Sequence, residues 1–495
     1  VFKKHKLALG IAASLLGGVV VYTSVQAVHV NPDGTGQVLI FPYYNAHPGY
    51  ITNVNLVNST NQTKAVRIRF RDSAENSDVS NFNLYLSPQD VWTGSVRIAK
   101  NKSGVDVVSV NTRDRTCAMP ALASCKTGEC EVNIPFNSLD VKAADLEEGF
   151  IEVIEMGVVN DSTVVAGVKH VNGIPKDCTV IEKAWTDKRF TAGAGDKALG
   201  LTAPSGGLFG SSAILNIAGG GAIAIDPVAI ENYSTVAQHY KPTDINTFLL
   251  PSLASGNVTT SNILVKNADG NTDLVETEWK ATEDACLKAI AAPCGTNPYP
   301  MAHVLLGAHL MNEYFADPTG GYDGHTDWVI TFPMRQYDIF NGSNDVLATI
   351  AGVYDREENQ QTTARNAGFG FVANTTAKEQ GLLARGVNVI SFTSTDGSYD
   401  KTYTVLGSAA TQELSVGAFV NGWANLSFPA YTLGAGISKV TAYGKSAGSY
   451  DASSVIYQGV PVLGFAAIQG KVGAGNAANF ADAIPHRVGH LVPSK

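Results

Sequence analysis

A chain of 495 residues, 44% hydrophobic and 16% charged with a mean hydropathy of +0.02, can bury about two or three cores and is too apolar for a disordered tail. Its 44 acidic residues outnumber 35 basic ones for a net charge of −9. That balance excludes nucleic acid as a partner, because phosphate binding draws its free energy from a basic surface that displaces counterions.

Lys3, Lys4 and Lys6 precede an apolar run from Leu7 to Val21, and Val25-Gln26-Ala27 has the small-x-small form of a cleavage site. Residues 1–27 therefore read as a secretory signal peptide, with an uncleaved anchor as the alternative. Its removal takes three lysines and no acid, leaving 32 basic against 44 acidic residues and a net charge of −12. The six cysteines of an exported chain, Cys117, Cys125, Cys130, Cys178, Cys286 and Cys294, read as three disulfides. Cys286 and Cys294 close a short loop. Cys178 is expected to join one of Cys117, Cys125 and Cys130, a choice that spacing leaves open. Without a C-x-x-C pair or neighbouring histidines, zinc is the weaker reading of these thiols.

From Gly36 to Ile98 the chain offers five short β-type runs, GQVLIFPYY, ITNVNLVN, KAVRIRFRD, NFNLYLSP and VWTGSVRI, set apart by Asn, Asp, Ser, Gly and Pro. In KAVRIRFRD, Val66, Ile68 and Phe70 alternate with Arg67, Arg69 and Arg71, which predicts a strand with one apolar and one cationic face. VDVVSVN, GFIEVIEMG and TVVAGVKHV add predicted strands, with residues 117–145 as an excursion off the sheet. Asp177 can cap a short helix in which Ile181, Ala184 and Trp185 share a face. Residues 191–222 are Gly-rich but match neither G-x-G-x-x-G nor a Walker loop, so SSAILNIAGGGAIAID reads as two strands about a glycine turn. Thr282 to Ala291 has a helical pattern stopped by Pro293. DWVITFPMRQYDI, DVLATIAGVYD, GVNVISFTS, GWANLSFP and PVLGFAAIQ then return to strands. The expected fold is mainly β: two antiparallel β-sandwich domains, residues 28–176 and 315–495, with a mixed, disulfide-bearing insertion of short helices and strands at 177–314.

GQVLIFPYY at Gly36, NFNLYLSPQDVWTG at Asn81, DWVITFP at Asp327, GVYDREEN at Gly352 and PVLGFAA at Pro461 resemble a family of secreted bacterial cell-surface proteins described as surface-layer or surface-layer-like. The resemblance runs from about Gly36 to the end of the chain. It implies a structural protein on the outside of a bacterial cell that assembles with itself and meets envelope glycan or glycolipid. The chain carries no surface-layer homology repeat, LPXTG signal or lipobox cysteine, so the mode of attachment is not implied.

No H-E-x-x-H occurs, and Ser398-Tyr399-Asp400-Lys401 is an S-x-x-K of the kind a serine-rich chain produces by chance, so no enzyme activity is expected. Glu152 and Glu155 sit at odd spacing on a predicted strand and should face opposite ways. Asp355, Glu357 and Glu358 with Arg356 read as a solvated turn, with an acid–base pair as the alternative. His303 and His309 read as structural histidines. Lys64, Arg67, Arg69 and Arg71 read as a solvated strand face, or else as a contact for anionic glycolipid. Tyr43, Tyr44, Tyr50 and Trp92 read as core, against a second function in which they stack on sugars in a glycan-binding or glycan-cleaving protein.

Three loops gather Asp, Asn and Gly: NADGNTD from Asn267, DPTGGYDGHTD from Asp317 and STDGSYD from Ser394. Turn chemistry accounts for each. The sharper expectation is a calcium site formed by Asp317, Asp323 and Asp327, since flexible Asp/Gly turns supply the oxygen ligands that calcium takes.

Overall fold

The computed structural model describes residues 26–490 except 122–130, 138–140, 218, 267–269, 281–297, 320–321, 338–344, 362–370, 374–378, 429–435, 445–447, 451–454 and 473–477. Strands hold 54% of it and helices 8%, so the chain is mainly β. The helix expected at 282–291 and the cysteines Cys125, Cys130, Cys286 and Cys294 lie outside the described residues. No helix among the described residues is long and apolar enough to cross a membrane.

All five opening runs form strands. Because side chains alternate along a strand, they build two sheets with opposed apolar faces. One sheet has eight strands, in the order His29–Val30, Val228–Glu231, Val38–Asn45, Glu148–Val159, Lys64–Asp72, Asp78–Leu86 and Cys117–Met119, with Leu201–Thr202 paired to Glu148–Val159. Its six-stranded partner runs Gly221–Ile225, Leu208–Asn216, Tyr50–Asn58, Val91–Lys100, Asp106–Thr112 and Val132–Pro135. Between them lie Leu39, Phe41, Val66, Ile68 and Phe70 from the first sheet and Leu56, Trp92 and Val96 from the second. The hairpin read about the glycine turn is present, pairing Ser212 with Ile225 through Asn216 with Gly221.

The opposite face of the eight-stranded sheet is also covered. Val38, Ile40, Tyr43, Phe150 and Ile154 enter a larger core shared with the carboxyl-terminal strands. A sheet buried on both faces explains why every residue of Lys64–Asp72 and Glu148–Val159 is buried. Three more sheets complete that core. A six-stranded sheet runs Phe371–Ala373, Glu379–Leu383, Val346–Asp355, Asn421–Ser427, His309–Phe315 and Arg487–Gly489. A five-stranded sheet runs Thr411–Gly417, Val387–Ser394, Tyr322–Thr331, Leu463–Val472 and Ala478–Pro485. A four-stranded sheet runs Thr260–Lys266, Thr272–Trp279, Ile437–Tyr443 and Gly448–Tyr450. The strands of 177–314 are divided: those at 201–231 pair with the amino-terminal sheets, while Thr272–Trp279 and His309–Phe315 pair with carboxyl-terminal strands.

The reading of TVVAGVKHV as a strand is corrected. Ser162–Val168 is a helix, because the Asp161 carboxylate accepts the Val164 backbone N–H at 3.0 Å and caps it, and Val164 and Val168, one turn apart, bury together. They meet the helix Thr179–Thr186, whose Ile181, Ala184 and Trp185 are buried as the spacing predicts, with Val180 buried beside them. Asp177 accepts the Thr179 N–H at 2.9 Å. A disulfide joins Cys117 to Cys178, tying this helical layer to the edge of the eight-stranded sheet.

Candidate functional site

One pairing between strands among the described residues is parallel: Val387–Ser394 with Thr411–Gly417. Parallel neighbours need a crossover, and residues 395–410 supply it as a loop rather than a helix. Two local turns shape the loop. Asp396 accepts the Ser398 N–H at 2.9 Å and Asp400 accepts the Thr402 N–H at 2.9 Å, so the Asp and Ser/Thr of this segment act as turn formers. The loop lies over one face of Tyr322–Thr331, on which Asp323, His325 and Asp327 share a side through their spacing of two.

Between loop and sheet is a cavity of about 100 Å³. Its buried lining includes His325, Asp327, Ser391, Thr393 and Tyr399, and Lys401 and Glu413 stand exposed at its rim. Tyr403, Thr404 and Thr411 complete the wall. Asp327 accepts from Ser391 Oγ on one carboxylate oxygen and from the Leu406 N–H, at 2.8 Å, on the other. Burial pushes its carboxyl up to about 6 against the pull of those donors, with the nearby Glu148 adding to the rise. His325 Nε2 lies 2.8 Å from Asp323 Oδ1, and its ring packs 4.8 Å from that of Tyr399 and 4.7 Å from that of Tyr403. Burial lowers the imidazole below its ordinary value although Asp323 opposes this. The Tyr399 hydroxyl donates to the Phe392 carbonyl at 2.7 Å, and that of Tyr403 donates to Gln469. Lys471 Nζ sits 3.1 Å from the centre of the Tyr403 ring.

The crossover also keys the halves together. Leu406 and Val405 carbonyls accept from Asn45 and Tyr50, and Ser408 donates to the buried Glu148 at 3.0 Å. Glu148 also accepts from Tyr43, and His47 lies between Glu147 and Glu148. Burial alone would lower His47, but the two glutamates outweigh it and raise the imidazole.

A second concavity of about 510 Å³ opens where the Leu463–Val472 and Ala478–Pro485 hairpin runs past the end of His309–Phe315. Phe315, Ile468, Val472, Phe480 and Ala481 line it, with Gly470 and Asp482. Gly324 lets the Phe315 ring lie across its strand, where a Cβ would collide with the ring. Phe480 is 67% exposed.

The three aspartates expected to gather round calcium do not converge. Asp317 accepts from Thr319 and Asn421, Asp323 meets His325, and Asp327 faces Ser391 and Leu406. Among the described residues no group of three or more His, Cys, Asp or Glu could hold a metal ion. Both readings of the basic patch are overturned, since Lys64, Arg67, Arg69 and Arg71 are buried. Irregular chain from Tyr240 to Pro251 crosses that face, and its carbonyls need donors. Arg67 donates to the Tyr240 and Phe248 carbonyls at 2.9 and 2.8 Å, and Arg69 donates to the Pro251 carbonyl at 2.9 Å. Glu152 accepts from Arg69 and Arg71, while Glu155, on the opposite face as its spacing predicts, accepts from Lys64 at 2.7 Å.

Tyr43, Tyr44 and Trp92 are fully buried and offer no face to a sugar, and Tyr50 is half-buried with its hydroxyl on the Val405 carbonyl. Asp355 accepts the Asn359 side-chain amide at 2.8 Å and the Asn359 and Glu357 backbone N–H groups in an exposed turn, which lowers its carboxyl, the side-chain amide first. His303 is buried in a short helix against Ser261, and His309 reaches Asn425 from a strand, so the two serve different packing sites. Ser398 donates to Asp396. Of the cavity's residues, sequence singles out Asp327, Tyr399 and Lys401; His325 is among those it passes over. The alternation D-x-H-x-D from Asp323 was the available signal for His325. Comparison with known proteins finds no matching family model, no similar curated protein and no similar solved structure.

Proposed function

We propose that this chain is a structural protein of the bacterial cell surface whose copies contact one another, and that the apolar groove at Phe480 is one half of that contact. The observation that carries the reading is an exposed phenylalanine beside an open groove, on the outermost strand of the five-stranded sheet. Apolar groups left uncovered at a sheet margin gain by burial against another molecule. Export is supported by the charged-then-apolar leader at residues 1–27 and by the Cys117–Cys178 bridge, which persists in an oxidising compartment. A two-sandwich description of the chain belongs to the same reading, supported by the two facing sheets of the amino-terminal half and by the crossover at 395–410 that bonds the halves to each other.

The test is sedimentation velocity over a hundredfold concentration range, followed by negative-stain microscopy. Wild type is expected to shift from monomer to assemblies, and Phe480→Asp to stay monomeric with an unchanged melting midpoint. A wild-type chain that stays monomeric throughout, or a variant that assembles equally well, overturns the proposal.

A further inference from the structure

The crossover at 395–410 joins both halves of the molecule through residues 405–408. Tyr50 donates its hydroxyl to the Val405 carbonyl at 3.0 Å, and Asn45 its amide to the Leu406 carbonyl at 2.6 Å. Ser408 donates to Glu148 at 3.0 Å, and the Leu406 N–H donates to Asp327 at 2.8 Å. Asn45, Tyr50 and Glu148 belong to the amino-terminal sheets, whereas Asp327 lies on Tyr322–Thr331 of the five-stranded sheet. The two side chains that anchor this seam by accepting from it are thus carboxylates, each 1% exposed.

A carboxylate shut away from water is costly to keep ionised unless a cation meets it. His325 is held by Asp323, Lys471 rests on the Tyr403 ring and Lys401 stands exposed at the rim with Glu413, so among the described residues Asp327 has no ion-pair partner. Tyr43, Tyr50, Tyr399 and Tyr403 also face it, and burial raises their hydroxyls, so they stay neutral from acid to neutral pH. Burial, with Glu148 adding like charge, pushes the Asp327 carboxyl up to about 6, against the ordinary 3.8 that it regains once the loop lifts and water reaches it. Between these values the seated loop holds a proton that the lifted loop releases. Seating therefore strengthens as pH falls from neutral towards 4 and weakens as pH rises through 6. On taking the proton, Asp327 donates to Ser391 Oγ, reversing the bond in which Ser391 donates, while its other oxygen keeps the Leu406 N–H.

We propose that residues 405–408 are a proton-operated latch between the two halves, which seats firmly while Asp327 carries a proton and loosens when Asp327 is ionised. The latch is independent of self-contact at Phe480. One other group on the seam titrates in the same direction. Burial would lower His47, but Glu148 and Glu147 raise it, so it too gains a proton as pH falls. Its ring meets those two glutamates, and a separate variant removes it from the reading.

The experiment is hydrogen exchange by mass spectrometry on the full chain at pH 5.0, 6.0 and 7.5, each rate divided by the intrinsic rate at that pH, with Leu463–Val472 as internal reference. Corrected exchange at 404–410 is expected to be about tenfold slower at pH 5.0 than at pH 7.5, the change produced over that interval by a carboxyl near 6 when seated and near 3.8 when lifted. Asp327→Asn, whose carboxamide can keep both bonds of the protonated acid, should exchange slowly at every pH. Should that variant fail to fold, Ser391→Ala removes a donor that favours the ionised form and should move the step to higher pH. His47→Gln should keep the step. Corrected exchange that does not change with pH, or that speeds up in acid, overturns the proposal. So does a step that Asp327→Asn retains, that Ser391→Ala leaves in place, or that His47→Gln abolishes.

Discussion

Replacing Glu152 by Gln tests whether the buried cationic strand is held by charge. Three guanidiniums, Arg67, Arg69 and Arg71, share one dry face with two carboxylates, Glu152 and Asp78. Glu152 takes Arg69 at 3.3 Å and Arg71 through two contacts of 3.1 Å. Glutamine keeps the shape but leaves Asp78 alone against three buried cations. Removing one partner of a buried pair costs about 3–5 kcal/mol, and here the carboxylate serves two arginines, so the upper part of that range is expected. Arg67 has no carboxylate in contact. Burial first, then the neighbouring Arg69, push it down to about 9, so it remains charged at neutral pH and is held by carbonyls and by Asn81 and Asn83. The assay is urea unfolding followed by tryptophan fluorescence, with Glu75→Gln as control. Glu75 pairs with Arg335 but its side chain is 68% exposed, so its loss should cost about 0.5 kcal/mol or less. If Glu152→Gln costs no more than the control, the strand is held by packing alone and the charge argument is wrong.

Cys178→Ser opens a bridge that closes 61 residues of chain, worth about 4 kcal/mol in the chain-entropy model. Hydrogen exchange should rise in 162–186, around Val164 and Trp185, and stay unchanged in Leu463–Val472. His239 is lowered to about 3 by burial first and by Arg67 second, while the unfolded imidazole takes a proton near 6.5. The folded state therefore binds fewer protons, and stability from this site is lost as pH falls from 6.5 towards 3. His239→Phe should lower the melting midpoint at pH 7 through loss of the Tyr85 contact at 3.0 Å, yet show a smaller further drop at pH 4.5 than wild type. Equal drops in the two proteins would remove His239 from the acid response.

Period-two alternation made the fold class legible: Val66, Ile68 and Phe70 do form one apolar face, and the five opening runs are strands. The fate of the opposite face was not legible. Whether Arg67, Arg69 and Arg71 meet water or carbonyls depends on residues 240–251, which come some 170 positions later and carry no pattern of their own. The helix at Ser162–Val168 was not legible because its β-branched residues read as a strand, whereas burial of Val164 and Val168 against Thr179–Thr186 favours a helix, a tertiary override of local propensity. The candidate cavity was half visible. Its loop stood out through Asp396, Ser398, Asp400 and Thr402, and its strand through Asp323 and Asp327. Their meeting depends on a parallel strand pair, which no local signal announces.

Burial of the basic strand also bears on how copies meet. The chain carries −9 overall, and Lys64, Arg67, Arg69, Arg71 and Arg335 are among its 35 basic residues that are withdrawn from the surface. Asp72, Glu148, Glu152, Glu155, Asp273 and Asp327 are withdrawn with them, so the remaining surface keeps an excess of acid comparable to that of the whole chain. Copies approaching through the Phe480 groove, whose one charged lining residue among the described residues is Asp482, thus repel at long range while gaining apolar burial at contact. Screening acts on the first and hardly on the second, since the Debye length falls from about 30 Å at 0.01 M salt to about 8 Å at 0.15 M. Association should strengthen as sodium chloride rises over that interval, and calcium should act beyond its ionic strength only if it bridges acidic surfaces. Sedimentation at matched ionic strength separates these. Association that weakens with salt would place the contact on opposite charges, away from the groove.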